Sequence, residues 1–471
     1  MVTQIFKHTF NFFKQQGHPP QEVRLQVAFG KGQDGFWTNV FPSKLVDEYS
    51  SDIRRFGLFL RVIKWTMPLL GLVPISIMLR LFFFSRGFGD KMVYPLIALF
   101  LGTGNQTASV PSAIVERLFD DPNMKLWDYD PNTLLPNLPI MVTFDHLHEF
   151  YRKWRLDLES KGVTVRTETE VDTVLSRSSD GVKLRVRDVA GGKTEDEMFD
   201  DMVLCTLADE SLRILGSTAT WREKFVLGGA AFYDDITITH SDKEYFQAHY
   251  ETHFKQELCA GPRSEEQKKQ VAFAKGEESQ APSSSSSSEV GFRPMYYTYT
   301  YQSDPRLIEM SFNCSNYQHQ LKAANSGGDK FDPVYQTIFL NKQQKHLWTI
   351  DDIRQDKIIK SNWWHQLGHR WQHYLRVVPW MMFLHGRQST YFAGSWTLVV
   401  SHSTPFFCLL FHWLLYFRSR QGADLKPSSR TCMSWPVSVA SLLLIILVRT
   451  MSSLTTLPRI SSPSTSCYRT A

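Results

Sequence analysis

Three histidines near the end of the interpretable part of the chain have a spacing that could carry chemistry. His365, His369 and His373 stand four residues apart, and we expect a helix over 350–376 that brings them to one face. Three imidazoles could hold zinc, but no glutamate occupies the place it has in the HExxH motif. The same segment contains three tryptophans: Trp363, Trp364 and Trp371. We therefore predict an aromatic-rich packing helix without a metal, and leave zinc as the alternative.

A glycine motif near the N-terminus, Gly30-x-Gly32-x-x-Gly35, matches the pattern GxGxxG. Such a motif binds a pyrophosphate when it joins a strand to a helix, because the helix N-terminal amides then face the anion. Here the residues that follow, FWTNVFP, alternate like a strand, and 23–29 and 36–41 are both typical of strands. The motif therefore predicts a hairpin turn and not a dinucleotide site.

Three separated segments carry a more informative pattern. They are 164–174 (TVRTETEVDTV), 201–208 (DMVLCTLA) and 389–396 (STYFAGSW). In the last segment Gly394 permits close approach of the backbone to a cofactor, and the flanking aromatic residues can shield a flat ring. Taken alone, the string YFAG could equally end an ordinary buried strand.

In this order the segments resemble the flavin-containing amine oxidase family of FAD-dependent oxidoreductases. The whole of about 1–399 looks like the amine-oxidase-like oxidoreductases common in fungi. The resemblance implies that Val171 lines the adenine, that Val203 to Ala208 continue the FAD domain's sheet, and that the last segment leads to the flavin and diphosphate. The cofactor-binding residues that it implies are Val171, Ala208, Phe392, Ala393, Gly394, Ser395 and Trp396.

The resemblance also implies a reaction, the oxidation of a C–N or C–C bond by hydride transfer to FAD. The substrate would be a small molecule, an amine or an apolar compound, and no catalytic residue can be named. Nothing before Glu22 resembles the strand, glycine-rich turn and helix that open the family. We therefore expect weak FAD binding or none, and the alternative is a non-catalytic remnant or a mispredicted gene product that no longer binds FAD.

The implied fold class is α/β plus α+β, with a partial Rossmann-like FAD-binding domain lacking its first βαβ unit. A substrate domain of mixed helices and antiparallel sheet completes it. The expected order is a mostly helical substrate part over 1–160, FAD-domain strands over 161–215, an antiparallel sheet over 216–350 with a flexible Ser-rich insertion at 255–290, a return to the FAD domain over 351–399, and an aberrant or disordered tail over 400–471.

The charge distribution argues against a nucleic-acid partner. The formal net charge is +5, but residues 400–471 contain seven Lys or Arg and one Asp. Residues 1–399 therefore hold 45 basic and 46 acidic residues, and the body has no excess that could form a concentrated basic face. The six cysteines are scattered and predict neither a zinc site nor a disulfide framework.

Residues 56–84 are very apolar, but charges and prolines interrupt them. The interrupting residues are Arg61, Lys64, Pro68, Pro74 and Arg80. Because a spanning helix needs about 20 predominantly apolar residues, we expect a buried or surface-lying amphipathic pair of helices. The N-terminus has no long apolar run of a secretory signal, so a cytoplasmic protein is expected. Peripheral membrane contact through 56–84 or the tail is the alternative.

Overall fold

Helices and sheets both contribute to the computed structural model, in agreement with the mixed content expected from the sequence. The structure describes residues 2–3, 7–67, 69–102, 104–121, 125–277, 291–321, 332–394, 396–397 and 445–448. The α-helices are α1 (Lys7–Gln15), α2 (Lys44–Glu48), α3 (Ser50–Trp65), α4 (Ile75–Leu81), α5 (Arg86–Phe88), α6 (Tyr94–Leu101), α7 (Ser112–Asp120), α8 (Leu147–Ser160), α9 (Ala208–Leu215), α10 (Trp221–Leu227), α11 (Lys243–His249) and α12 (Glu265–Lys275).

The strands form one large sheet and three small ones. Their bounds are β1 (Val2–Thr3), β2 (Gln21–Arg24), β3 (Val27–Phe29), β4 (Trp37–Thr38), β5 (Ile140–Thr143), β6 (Thr169–Ser178), β7 (Gly181–Asp188), β8 (Thr194–Phe199), β9 (Asp201–Leu204), β10 (Ala231–His240), β11 (Tyr296–Thr300), β12 (Ile308–Asn313), β13 (Tyr335–Ile338), β14 (Ile358–Gly368), β15 (Thr390–Phe392) and β16 (Ile445–Val448). The orders are β14-β10-β13-β12-β11-β3-β4, β6-β7-β8, β15-β9-β16 and β1-β5-β2.

The large sheet is antiparallel except where β3 pairs parallel with β11. Strands β10 to β13 lie within 216–350 and pair antiparallel, as expected for that range. The hairpin predicted for the glycine motif is also confirmed, because β3 and β4 pair antiparallel on either side of it. Gly30 has φ +64°, and a Cβ there would lie 2.3 Å from the carbonyl oxygen of Gly35. This close approach explains why the turn requires glycine.

Helices α2 to α7 form a block that packs on the large sheet through the principal hydrophobic core. The inward face of α3 contributes Phe56, Phe59 and Ile63, each at most 1% exposed. Among the described residues, no helix combines the length and the apolar character needed to cross a bilayer. The predicted amphipathic pair therefore corresponds to α3 and α4, which have both buried and exposed sides.

The helix predicted over 350–376 is wrong for most of its length. Residues Ile358–Gly368 form β14, an edge strand that pairs with β10 from Ala231 to His240. The segment is rich in isoleucine and tryptophan, which suit a half-buried pleated surface, and the long antiparallel pairing outweighs the helical spacing of the histidines. The three histidines consequently share no helix face. No group of residues suited to a metal occurs in the described part of the chain.

The flexible insertion predicted over 255–290 is wrong for Glu265–Lys275, which form α12. Ser264 caps this helix by accepting a hydrogen bond from the Gln267 amide, and Val271 and Phe273 are buried. The polar composition suggested a loop, but the few apolar residues of α12 are enough to pack it in the hydrophobic cluster beside the large sheet. Ser283 to Ser288 lie outside the described residues.

The tail contributes β16, which pairs antiparallel with β9. The prediction of an unpacked tail is therefore wrong for Ile445–Val448. The rest of 400–471 lies outside the described residues, and its disorder remains a prediction.

Candidate functional site

The parallel strands β9 and β15 define the edge on which the sequence places the cofactor. Tyr391 lies opposite Val203, and the Ala393 amide donates to the carbonyl of Leu204 at 2.8 Å. The carboxyl ends of parallel strands meet at one sheet edge, which is where open α/β folds bind ligands. Thr206 and Gly394 follow the two strands at this edge.

The predicted cofactor residues fall into two groups. Those buried in one apolar cluster are Val171, Ala208, Phe392 and Trp396. Ala393 and Gly394 are partly exposed, and Ser395 lies outside the described residues. Val171 is on β6, in the neighbouring small sheet, and meets the edge through this cluster rather than through strand pairing. The cofactor role of these residues remains a prediction.

The space beside Gly394 is filled by the chain itself. The Trp396 indole is fully buried and donates to the carbonyl of Thr206 at 2.9 Å. A Cβ at Gly394 would lie 2.9 Å from the indole nitrogen. Here the glycine therefore allows the backbone to lie against tryptophan. The indole is part of the core, and its predicted place beside a flavin remains a prediction.

Helix α9 begins directly after this edge, and its first turn is acidic. It contains Asp209 and Glu210. Asp209 meets His365 of β14, with its carboxylate 2.6 Å from Nε2, and Asp234 of β10 lies 2.6 Å from Nδ1. Burial lowers the pKa of His365, but the hydrogen bonds to Asp234 and Asp209 outweigh it and raise the pKa above its usual value. The imidazole thus joins the cofactor edge to the large sheet.

The pairing of β10 with β14 gives these strands two chemically different faces. Asp234 and His365 lie opposite each other, on the face that meets α9. Tyr233 and Asp235 lie on the other face, because successive side chains alternate across a sheet. Gln366 lies opposite Tyr233 in the register and therefore shares that face.

A pocket opens on the Asp235 face, between the sheet and the turn after α6. Its cavity volume is small, about 20 Å³, which is room for about one water molecule. Its polar lining comes from Gln106, Tyr233, Asp235, Asn341 and Gln366. Its apolar lining comes from Met310, Ile338, Phe339, Leu340 and Leu367. Leu367 alternates to the His365 face and packs there against the apolar cluster that contains Phe392 and Trp396, so the β10–β14 pair lies between the Asp235 face and the cofactor edge.

Asp235 is the acid of this pocket and is only 7% exposed. Burial raises the pKa of its carboxyl to about 7, the nearby charge of Asp234 adds to the rise, and a hydrogen bond from Gln366 opposes it. No cation pairs with Asp235 among the described residues. A carboxyl that titrates near neutrality can both accept and return a proton under ordinary conditions.

The pocket lining beside Tyr233 depends on a glycine. A Cβ at Gly368 would lie 2.2 Å from the Tyr233 ring, so glycine lets that ring lie against β14. The Arg370 guanidinium stands 5.3 Å from the centre of the same ring and donates to Gln106 at 3.3 Å. Arg370 thereby ties the helical block to the sheet at the pocket's rim. Its Nε has no hydrogen-bond partner.

Sequence reasoning missed this site completely. Asp234 and Asp235 are adjacent carboxylates within a run whose other residues, AFY and ITITH, are typical of a strand. Aspartate is rare in strands, so two adjacent aspartates in such a run are unusual. This feature of the sequence could have identified Asp234 and Asp235 as candidates. Their neighbours Gln366 and His365 lie more than 120 residues away and meet them through the β10–β14 register.

The fold of the chain is similar to that of a solved structure. The chain resembles a CLA-producing fatty acid isomerase from P. acnes, with 11% sequence identity and a TM-score of 0.50. The likeness covers 90% of this chain and 86% of that one, so it extends over nearly the whole of both proteins. At this identity it concerns the fold alone.

Two structures of the rebeccamycin biosynthetic enzyme RebC are more distant. The form with reduced flavin is 13% identical, covering 55% of this chain and 36% of that one, with a TM-score of 0.25. The substrate-free form is 12% identical, covering 70% and 50%, with a TM-score of 0.25. Scores of this size do not establish a common fold. No family model and no curated protein matches the chain, so the amine-oxidase resemblance stays a prediction.

Proposed function

We propose that the protein is an FAD-dependent oxidoreductase of the amine-oxidase type. Its substrate, a small amine or apolar molecule, would bind in the pocket beside Asp235 and be oxidised at a C–N or C–C bond. The observation that supports this is the buried Asp235 carboxyl, whose pKa burial raises to about 7, in a small pocket lined by polar and apolar residues. A buried acid with a shifted pKa in a cleft is a candidate for a catalytic group.

The residues of the chain can be assigned to separate tasks in this proposal. Asp235 would hold or accept a substrate proton, and Gln366 would orient its carboxylate through the hydrogen bond at 3.2 Å. Tyr233 and the apolar lining would exclude water. Arg370 would keep the helical block closed over the pocket.

The described residues do not fit a whole FAD molecule. Asp209 and Glu210 occupy the first turn of α9, and acidic side chains at a helix N-terminus disfavour an anion there. Trp396 fills the space beside Gly394. Among the described residues, no glycine-rich turn joins a strand to a helix. Since each lost charge-assisted hydrogen bond costs roughly 1.5–3 kcal/mol, we propose that this chain binds FAD weakly.

The poor fit favours a second function, that of a small-molecule binding protein that uses the pocket without FAD. Titration of the full chain with FAD separates the two, followed by flavin fluorescence and by thermal unfolding. Saturable quenching and a rise in the unfolding temperature at excess FAD support the oxidoreductase. No quenching at any concentration supports the binding protein. Purification with stoichiometric FAD would show that the fit is better than we infer.

A further inference from the structure

Helix α3 has one buried apolar side and one exposed side that combines basic and apolar residues. The inward side packs in the core, as described above. The outward side carries Leu58 and Trp65, which are 55% and 85% exposed. Single exposed apolar residues are ordinary on a protein surface. Several exposed apolar residues on one helix face are typical of a surface that binds another molecule.

Helical geometry arranges this outward side as an apolar centre with a basic edge. With 3.6 residues per turn, Leu58 and Trp65 point about 20° apart, and Arg54 and Arg61 lie about 40° and 60° from Leu58 on the same side. Both arginines are exposed. They donate to helix carbonyls, and neither pairs with a carboxylate in the part of the chain that the structure describes.

The turn after α4 holds a strained, exposed aromatic residue beside α3. Phe83 has φ +56°, a left-handed conformation that is unfavourable for a bulky side chain, and it is 83% exposed. Its carbonyl accepts a hydrogen bond from Arg55 of α3 at 2.7 Å. Phe82 packs on Phe59, which fixes the turn against the helix. The chain thus holds an aromatic ring in water at a cost in backbone strain, an arrangement that occurs mainly at functional positions.

We propose that this α3 surface, formed by Arg54, Leu58, Arg61, Trp65 and Phe83, docks on an anionic phospholipid bilayer. The aromatic and apolar side chains would enter the interface between headgroups and acyl chains while the arginines meet phosphate and carboxylate headgroups. The unpaired positive charges favour anionic lipid headgroups. The projecting apolar side chains favour an acyl layer, which an acidic protein surface does not provide. None of these five residues lines the pocket beside Asp235, so the docking does not depend on the chemistry proposed there.

Flotation of the full chain with phosphatidylcholine vesicles, with and without phosphatidylserine, tests the docking. We expect binding to the phosphatidylserine vesicles that weakens as salt is raised. The double variant W65S/F83S should bind at least about tenfold more weakly, because two aromatic side chains no longer enter the interface. The variant R54Q/R61Q should lose the preference for phosphatidylserine. All four side chains are exposed, so thermal unfolding should be unchanged.

Trp221→Ser is the matched control, because this tryptophan is 71% exposed on α10 and also has an arginine, Arg222, over its ring. It should leave binding unchanged. Three results overturn the proposal: no binding to either vesicle, binding that W65S/F83S does not alter, or an equal loss in the Trp221 variant. A dimer in gel filtration that W65S/F83S dissociates would assign the surface to a second copy of the chain instead.

Discussion

Gln366 donates a hydrogen bond to Asp235 at 3.2 Å across the β10–β14 pair, although the register places Trp364 and not Gln366 opposite Asp235. The amide reaches diagonally along one face of the sheet. It favours the charged carboxylate, yet burial has the larger effect and the pKa of Asp235 stays near 7. A proton can therefore be held at this position around neutral pH.

Asp235→Asn should stabilise the protein at pH 8 and have little effect at pH 4. The folded-state pKa lies above the ordinary 3.8, so between about pH 4 and pH 7 the unfolded chain binds fewer protons and stability falls as pH rises. The asparagine variant does not lose free energy of unfolding in this way. The expected difference is a few kcal/mol, because each unit of pKa shift corresponds to about 1.4 kcal/mol. Urea unfolding at several pH values measures it. The exposed Asp351→Asn is the control, and parallel curves for both variants would contradict the assignment.

Gly368→Ala should destabilise the protein and disturb the pocket. The added Cβ would lie 2.2 Å from the Tyr233 ring, which must move, and Arg370 packs over that ring. We expect a loss of about 1–3 kcal/mol in the free energy of unfolding. Gly261→Ala is the control, since nothing lies within 4 Å of its Cβ. Equal stability of the two variants in guanidinium unfolding would show that the Tyr233 packing is misplaced.

Glu223→Gln should cost about 3–5 kcal/mol, because it leaves the buried Arg177 without a counterion. The two groups form paired hydrogen bonds of 2.8 Å, and Arg177 also donates to Thr390 of β15. Burial raises the pKa of Glu223, but the bonds from Arg177 outweigh it and the pKa is lowered. This stability is therefore present above pH 4.5 and is lost as the pH falls further.

The exposed pair Arg155–Glu159 provides the comparison for that variant. Glu159→Gln removes a surface ion pair and should cost less than about 1 kcal/mol. Thermal unfolding of both variants at pH 7 and pH 4 distinguishes the sites. A Glu223 variant as stable as the Glu159 variant at pH 7 contradicts the buried pair as a support of the β9–β15 edge.

His365 should titrate above its ordinary pKa of 6.5 because Asp234 and Asp209 hold its charged form. The stability from this raised pKa is fully present below pH 6.5 and is lost as the pH rises through the folded-state value. The imidazole is 38% exposed, so solvent screening limits the contribution to below about 1 kcal/mol. NMR titration of the ring measures the pKa directly. Asp209→Asn and Asp234→Asn should each lower the pKa of His365. An unchanged pKa in both variants would contradict the hydrogen bonds from His365 to these two carboxylates.

Local patterns predicted the parts of the fold that local chemistry decides. The Gly30 turn between β3 and β4 follows from glycine and from the alternating residues beside it. The strand at Thr390–Phe392 follows from its apolar residues. Helix α8 at Leu147–Ser160 ends directly before Lys161-Gly162, and a glycine in that place is a local stop signal. For the turn and the helix stop the decisive contacts lie within a few residues of the motif, whereas the strand at Thr390–Phe392 forms by pairing with the distant β9.

The pocket could not be predicted in the same way, because its members meet through long-range register. Asp235 and Gln366 are 131 residues apart, and the histidine spacing suggested a helix where β14 forms. The role of Trp396 was also hidden, since only the folded chain shows its indole bonded to Thr206. Burial and pairing across the sheet, which no local pattern encodes, decide these features.

Anaerobic incubation with a panel of amines, in the presence of excess FAD, tests the central claim most directly. Loss of the visible flavin absorbance band reports substrate oxidation. We predict that at least one amine bleaches the band with the full chain, and that Asp235→Asn slows bleaching by about 10²–10⁴-fold, the usual contribution of a proton-transferring group. No bleaching by any amine although FAD is bound, or equal rates for the chain and the Asp235 variant, would contradict the account.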